Sequence, residues 1–238
     1  MAKPVTKLRR SGADRLMMAF IAIPAIITAA LIIVPLMSGI SLSFFKISSF
    51  NAAATPQFVG LKNIIKVGSS TAFSNAFQNG VVFTAGSVLI QVIAAVCIAL
   101  ALNRRFPLRS VVRTAIIIPM LVPTVVVSTI DRYIMNESFG VVSKVTTTLG
   151  FAPIAWGTPG MAMWHVIGLG VWLWLPFMVL SILAELQSIP GMLYEAARVD
   201  GANPFQQFWH VTLPHLASVL GIVVLLRSIW TFNNFELI

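Results

Sequence analysis

Long apolar runs separated by short polar stretches organise this chain. A helix needs ~20 apolar residues to cross a bilayer core, and about five runs meet that length, near 16–40, 78–102, 113–134, 160–183 and 216–238. The pattern predicts an all-α integral membrane protein, a bundle of about five transmembrane helices within a single domain over 16–238. Residues 1–15 form a basic start with Lys3, Lys7, Arg9, Arg10 and Arg15. A signal peptide would look similar, but the apolar part continues through Phe44 and Phe45, a length that predicts a retained anchor. Prolines 24, 35, 119, 123 and 176 fall inside the runs, where membrane helices tolerate them as kinks.

The segment Glu195–Pro214 breaks this pattern, as the one polar stretch of any complexity between two apolar runs. Its punctuation predicts a helix-turn-helix within 185–215. Ser188 is expected to cap a helix with Pro190 in its first turn, and Gly201 to end it in the left-handed conformation. Asn203 then stands as N-cap, with Pro204 first in the next helix and Gln206 three residues after the cap, close to a capping box. Phe205, Phe208, Trp209 and Leu213 follow at helical spacing as one apolar stripe, which Pro214 is expected to interrupt.

Composition agrees with a membrane setting: 58% of residues are hydrophobic and 10% charged, with a mean hydropathy of +0.91. No soluble surface can be built from so little charge. The net charge of +9 is chiefly an orientation signal, because Lys and Arg concentrate in cytoplasmic connections. The basic start and the cluster Arg104, Arg105, Arg109 and Arg113 place the N-terminus, the second connection and the 185–215 hairpin inside. Lys46, Lys62 and Lys66 lie in a first outward segment long enough to escape the rule, and the outward stretch 135–159 carries Lys144 and Glu137. The basic residues flank spans, so nucleic acid is not an expected partner. Cys97, the single cysteine, excludes a disulfide framework. No GxxxxGK[ST] loop occurs, and His165, His210 and His215 lack metal-ligand spacing. No cofactor, metal or catalytic residue is expected in this chain.

Polar residues within spans are costly and mark bundle interiors or cavities. Arg227 lies mid-run, as a path residue, an interhelical partner or, if the boundary shifts, a snorkelling side chain; Asn233, Asn234 and Glu236 follow. Gln91 suits helix–helix bonding or a hydroxylated solute. Trp172 and Trp174, near a span centre, suit packing between helices or stacking on a sugar face. Residues 47–75 are less apolar, with Phe58, Leu61, Ile64 and Ile65 weakly periodic, and predict short helices at the outer face. Gly140, Leu149 and Gly150 punctuate the other outward loop.

Glu195-Ala196-Ala197, Asp200-Gly201-Ala202, Phe208 and Leu213-Pro214 resemble the EAA loop of the membrane subunits of bacterial ABC importers. Phe58-Val59-Gly60-Leu61-Lys62-Asn63 and Trp230-Thr231-Phe232-Asn233-Asn234-Phe235 are similar to the carbohydrate-uptake class, relatives of maltose and glycerol-phosphate permeases. The resemblance runs from about Leu16 to the end. It implies a multi-pass permease of the bacterial inner membrane whose loop docks in a groove of an ATP-hydrolysing subunit, with Phe205 packing on one wall. The implied partners are two such subunits, which bind ATP and Mg, a second and different permease, and an extracytoplasmic solute-binding protein received at the outer face. Relatives have six spans, so a further one is expected beyond Ile238, which lies within an apolar run. Ala217 stands where relatives often carry proline.

The function expected is a path for a sugar or related polyhydroxy solute, coupled to ATP hydrolysis elsewhere. An ion-coupled secondary transporter would need membrane-embedded carboxylates, and only Asp131 and Glu236 come near, both at span ends. A non-transport membrane scaffold would have no associated ATPase. Nothing in the residues names the solute.

Overall fold

The computed structural model describes residues 12–47, 56–152 and 155–233. Its contacts divide the chain into two units, one ending at Asn75 and one beginning at Ala76.

The first unit opens with α1 (Gly12–Leu42), which carries Pro24 and Pro35 internally. The helix stops short of the end of its apolar run: Phe44 lies in a turn, and Phe45–Lys46 forms strand β1, paired antiparallel with β2 (Gln57–Phe58). Phe45 and Phe58 stack edge to face at 5.5 Å. The sequence pattern predicts only short helices over 47–75; one forms, α2 (Lys62–Gly68), but this strand pair precedes it. The Phe58–Asn63 motif has a local structural role. Gly60 takes a positive φ of 57°, Val59 N–H donates to the Phe44 carbonyl at 2.8 Å, and Asn63 Nδ2 donates to the Ser43 and Phe45 carbonyls at 3.0 Å each. One amide side chain thus satisfies carbonyls exposed where the helix gives way to strand.

The second unit is built on α3 (Thr71–Asn103), α7 (Pro159–Ser188) and α10 (Leu213–Phe232). Along α3 the buried positions Gln91, Ala95, Ala99 and Leu102 recur at helical spacing and make one stripe. It meets Met178, Val179, Ile182 and Leu186 of α7 and Leu216 and Val223 of α10 in a single core. In lipid no hydrophobic force pulls helices together, so close van der Waals approach has to hold them and small residues collect at the contact. Ala95 and Ala99 are small residues fully buried in this contact, and Gly86 leaves room for the Ile167 side chain, whose Cδ1 would lie 3.0 Å from a Cβ there. A second core joins Phe83, Val127, Ile167 and Leu173.

Two spans differ from the expectation. The run at 113–134 is not one helix: α4 (Arg109–Ile117) and a 3₁₀ turn (Ile118–Leu121) meet α5 (Thr124–Ile134) at a bend of 92°. Pro123 disfavours helical geometry in the residue before it, and Val122 is extended at φ −90° and ψ 129°. The helix that holds the last apolar run begins upstream of residue 216. Helix α9 (Pro204–Gln207) runs through a π turn (Phe208–Thr212) directly into α10. Pro214 therefore sits in the first turn of a continuing helix and does not interrupt it. The wider turn upstream accommodates a residue that cannot donate to the preceding ladder. Among the described residues four helices are long and apolar enough to cross a membrane, or five if the bent pair counts as one span.

After α5, helix α6 (Val141–Thr148) follows a tight turn at Gly140, where a Cβ would fall 2.4 Å from the Asn136 carbonyl oxygen. Ala99 is fully buried in the first core, so Ala99→Leu should overpack and destabilise it by about 1–3 kcal/mol. Denaturation of the purified protein in detergent would measure this, and an unchanged midpoint would count against that packing.

Candidate functional site

Two groups of residues stand out in the second unit, a polar hairpin at one end and a buried polar cluster within the bundle. In the hairpin, α8 (Gly191–Val199) ends at Asp200, and Gly201 follows with φ 80°. Gly201 N–H donates to the Arg198 carbonyl at 3.1 Å and Ala202 N–H to that of Ala197 at 2.8 Å. These two bonds form a Schellman closure, which satisfies the helix's last carbonyls and requires the left-handed residue. The next helix opens with a complete capping box: Gln206 N–H donates to Asn203 Oδ1 at 2.9 Å, and Asn203 N–H to Gln206 Oε1 at 2.8 Å. Pro204 stands in its first turn as expected.

The start of α8 differs from expectation. Ser188 is the last residue of α7, and its hydroxyl donates to the Glu185 carbonyl at 2.8 Å instead of capping α8. Pro190 takes the N-cap position with no side-chain bond. It cannot continue α7 because it lacks an amide donor, so the chain turns there.

Within this frame Glu195 and Ala196 are exposed, while Ala197 is half-buried. Ala197, Asp200, Gly201, Ala202 and Gln206 line a cleft of about 260 Å³. The apolar stripe divides. Phe205 and Trp209 are exposed and meet edge to face at 6.0 Å, whereas Phe208 and Leu213 are partly buried. Phe205 and Trp209 are four residues apart and share a face, while Phe208 points about 100° away from Trp209; the π turn shifts only Leu213, which follows it. Residues absent from the sequence expectation hold the two arms together: Tyr194 Oη lies 3.0 Å from Thr212 Oγ1, and Gln207 Nε2 donates to the Ala202 carbonyl at 2.8 Å. Tyr194 beside the Glu195 motif was the available signal. A groove of about 580 Å³ runs from Leu100 and Asn103 of α3 and the following Arg104 to Tyr194, Phe205 and Phe208.

Inside the bundle, Gln91, Trp174 and Arg227 come together from α3, α7 and α10. Arg227 is 2% exposed. Its Nε donates to Gln91 Oε1 at 3.2 Å and its Nη2 to Thr231 Oγ1 at 3.1 Å. The guanidinium lies 4.9 Å from the centre of the Trp174 ring, within cation–π range. Gln91 Nε2 completes the set by donating to the Gly170 carbonyl at 3.1 Å. Of the roles open to Arg227, interhelical pairing is the one the geometry displays. Thr84 Oγ1 and Ser87 Oγ, on the turns of α3 before Gln91, and Trp174 Nε1 are shut from solvent with no partner among the described residues. Thr231, Ser87 and Thr84 were missed because hydroxyls are common in membrane helices.

Trp172 and Asn233 do not join the cluster. Trp172 is half exposed, and Asn233 is an exposed C-cap whose Nδ2 donates to the Ile229 carbonyl at 2.9 Å. Asn234 and Glu236 lie outside the described residues. Asp131 of α5 pairs with His165 of α7 at 2.7 Å, with Trp156 5.3 Å from the imidazole.

Residues 91–238 match the family described as the binding-protein-dependent transport system inner membrane component. The chain belongs to this family. The inner membrane component is 36% identical over 87% of its length to the trehalose/maltose transport system permease MalF of Thermococcus litoralis, covering 70% of that protein. It is 33% identical over 84% of its length to the ABC transporter permease YcjO of Escherichia coli, again covering 70%. The sulfoquinovosyl glycerol transport permease SmoG of Agrobacterium fabrum is 31% identical over 94% of the chain and 73% of the relative. The fold resembles that in the crystal structure of a bacterial alginate ABC transporter with its alginate-bound periplasmic protein, with a TM-score of 0.76 at 23% identity over 90% of this chain and 72% of that one. It is thus an all-α, multi-pass permease subunit of an ABC importer, a transport component and not itself an enzyme.

The cluster can be tested by removing its members separately. Gln91→Leu strips the acceptor from a buried guanidinium and should cost about 1–3 kcal/mol. Arg227→Met removes the charge with its need for a partner, so the double variant should be no less stable than Gln91→Leu alone. Denaturation of the four proteins in detergent would check this, and simple additivity of the two losses would contradict it.

Proposed function

We infer that this permease carries a sugar or related polyhydroxy solute across the bacterial inner membrane, driven by ATP hydrolysis on separate subunits. The observation that carries the coupling is the continuity of the hairpin with a span. A Schellman closure and a capping box fix the turn at Gly201, and the helix opened there runs unbroken from Pro204 to Phe232. Movement imposed on the exposed Phe205 and Trp209 would pass along α10 to Arg227, and from there to α3 and α7 through Gln91 and Trp174.

Glu195, Ala196, Ala197, Asp200, Gly201, Ala202, Phe205, Phe208, Leu213 and Pro214 make up the docking element in this reading. Two alanines beside Glu195 present a surface narrow enough to enter a groove. The N-terminus and the hairpin are cytoplasmic, following the Lys and Arg bias of the connections. Two ATP-hydrolysing subunits bind ATP and Mg, a second permease completes the path, and a binding protein delivers solute outside. Transport proceeds by alternating access, one bundle rocking against another.

The relatives named for trehalose/maltose, sulfoquinovosyl glycerol and arabinooligosaccharides support the carbohydrate class. The unpartnered hydroxyls of Thr84 and Ser87 and the Trp174 indole N–H are suited to solute hydroxyls once the helices part. Gln91, Trp174 and Arg227 act here by holding the closed bundle. Trp172 and Asn233, with Asn234, remain the proposed accessible path residues.

Gly201→Asp tests the coupling. A side chain at φ 80° is strained by about 1–2 kcal/mol, and the added carboxylate obstructs docking. The variant should insert normally yet lose most solute uptake in vesicles, with ATP hydrolysis no longer responding to the loaded binding protein. Normal uptake would sink the assignment.

A further inference from the structure

The connection from α3 into the third span holds a feature that neither coupling nor solute passage uses. Arg109 and Arg113 lie four residues apart on one face of α4 and are both partly buried. Nε of Arg109 and Nε and Nη2 of Arg113 are covered by the protein and have no hydrogen-bond partner among the described residues. Among the described residues the one ion pair is His165–Asp131, so no carboxylate, Glu185 included, neutralises either guanidinium. The remaining guanidinium nitrogens, Nη1 and Nη2 of Arg109 and Nη1 of Arg113, are open to an external anion, and an anionic oxygen there offsets the cost of holding the two charges partly out of water.

The surroundings say which anion. Leu108, Val111 and Val112 are exposed on the adjoining face of α4, an apolar stripe suited to acyl chains and not to a soluble protein. Arg109 starts the helix, and Arg113 stands one turn, about 6 Å, further along it. Arg104 and Arg105 add two more cations in the same connection. Basic pockets at the cytoplasmic ends of spans bind anionic headgroups, and the guanidinium fork matches phosphate oxygens in pairs.

We propose that Arg109 and Arg113 bind the phosphate of an anionic phospholipid, whose acyl chains lie along Leu108, Val111 and Val112. The lipid neutralises the entry of the third span and anchors α4 at the interface, on the near side of the break at Pro123.

The full chain, purified in detergent and incubated with equal amounts of phosphatidylglycerol and phosphatidylcholine, should retain phosphatidylglycerol preferentially by roughly tenfold in native mass spectrometry. Arg109→Gln with Arg113→Gln should abolish that preference, and so should Arg113→Gln alone in large part, should the double variant fold poorly. Lys62→Gln with Lys66→Gln, at a different connection, should leave it unchanged. Absence of a preference in the wild type, its survival in both arginine variants, or its equal loss in the lysine variant would overturn the proposal. Loss of a co-expressed ATP-hydrolysing subunit with lipid preference intact would overturn it too, by assigning the arginines to a protein contact.

Discussion

A guanidinium held inside a membrane bundle is the interaction on which the second unit turns. Arg227 is expensive to bury, and its cost is offset only where an acceptor, a hydroxyl and an aromatic face converge on it. Gln91 supplies the first from α3, Thr231 the second from its own helix, and Trp174 the third from α7. Gln91 has a second amide edge, which reaches the Gly170 carbonyl. Three spans are thereby fixed in register as well as in contact. Apolar packing around Ala95, Ala99 and Met178 brings the helices close, but it would tolerate sliding far better than directional bonds do.

The same helix that carries Arg227 also carries half of the hairpin. Because Pro214 falls just after a π turn, the backbone passes from Asn203 to the middle of the membrane with no flexible joint. His210 and Thr212 bond to the carbonyls of Gln206 and Gln207 within that turn, at 2.9 and 3.4 Å. Tyr194 ties α8 to it from the other arm. The hairpin is held by local bonds that do not depend on a partner, the stiffness that the proposed coupling role would need. The bent third span is the contrast, since Val122 and Pro123 place a joint midway along it.

Local chemistry was legible in the chain. Asn203, Pro204 and Gln206 specify a capping box within four residues, and Gly201 specifies its left-handed turn, so the hairpin could be placed without a fold. The motif residues Glu195 to Ala202 carried the family as well. Ser188 and Pro214 were misread for one reason: each is ambiguous between ending one helix and starting the next. That choice depends on what the neighbouring carbonyls find to bond with. Phe44 and Phe45 were assigned to the first apolar run because hydropathy does not distinguish a span from a strand packed at its end.

The sequence by itself determined that this chain lies in a membrane, that its hairpin turns at Gly201, and that Gln91, Trp174 and Arg227 need a reason to be there. These follow from hydropathy and from interactions reaching only a few residues along the backbone. Only the tertiary structure decided that Gln91 and Arg227, 136 residues apart, are partners, that Trp172 faces away while Trp174 covers the charge, and that Arg109 and Arg113 find no acceptor among the described residues. Periodicity reports which face of a helix is polar. Which faces meet depends on the packing of several helices at once, and no single segment contains that information.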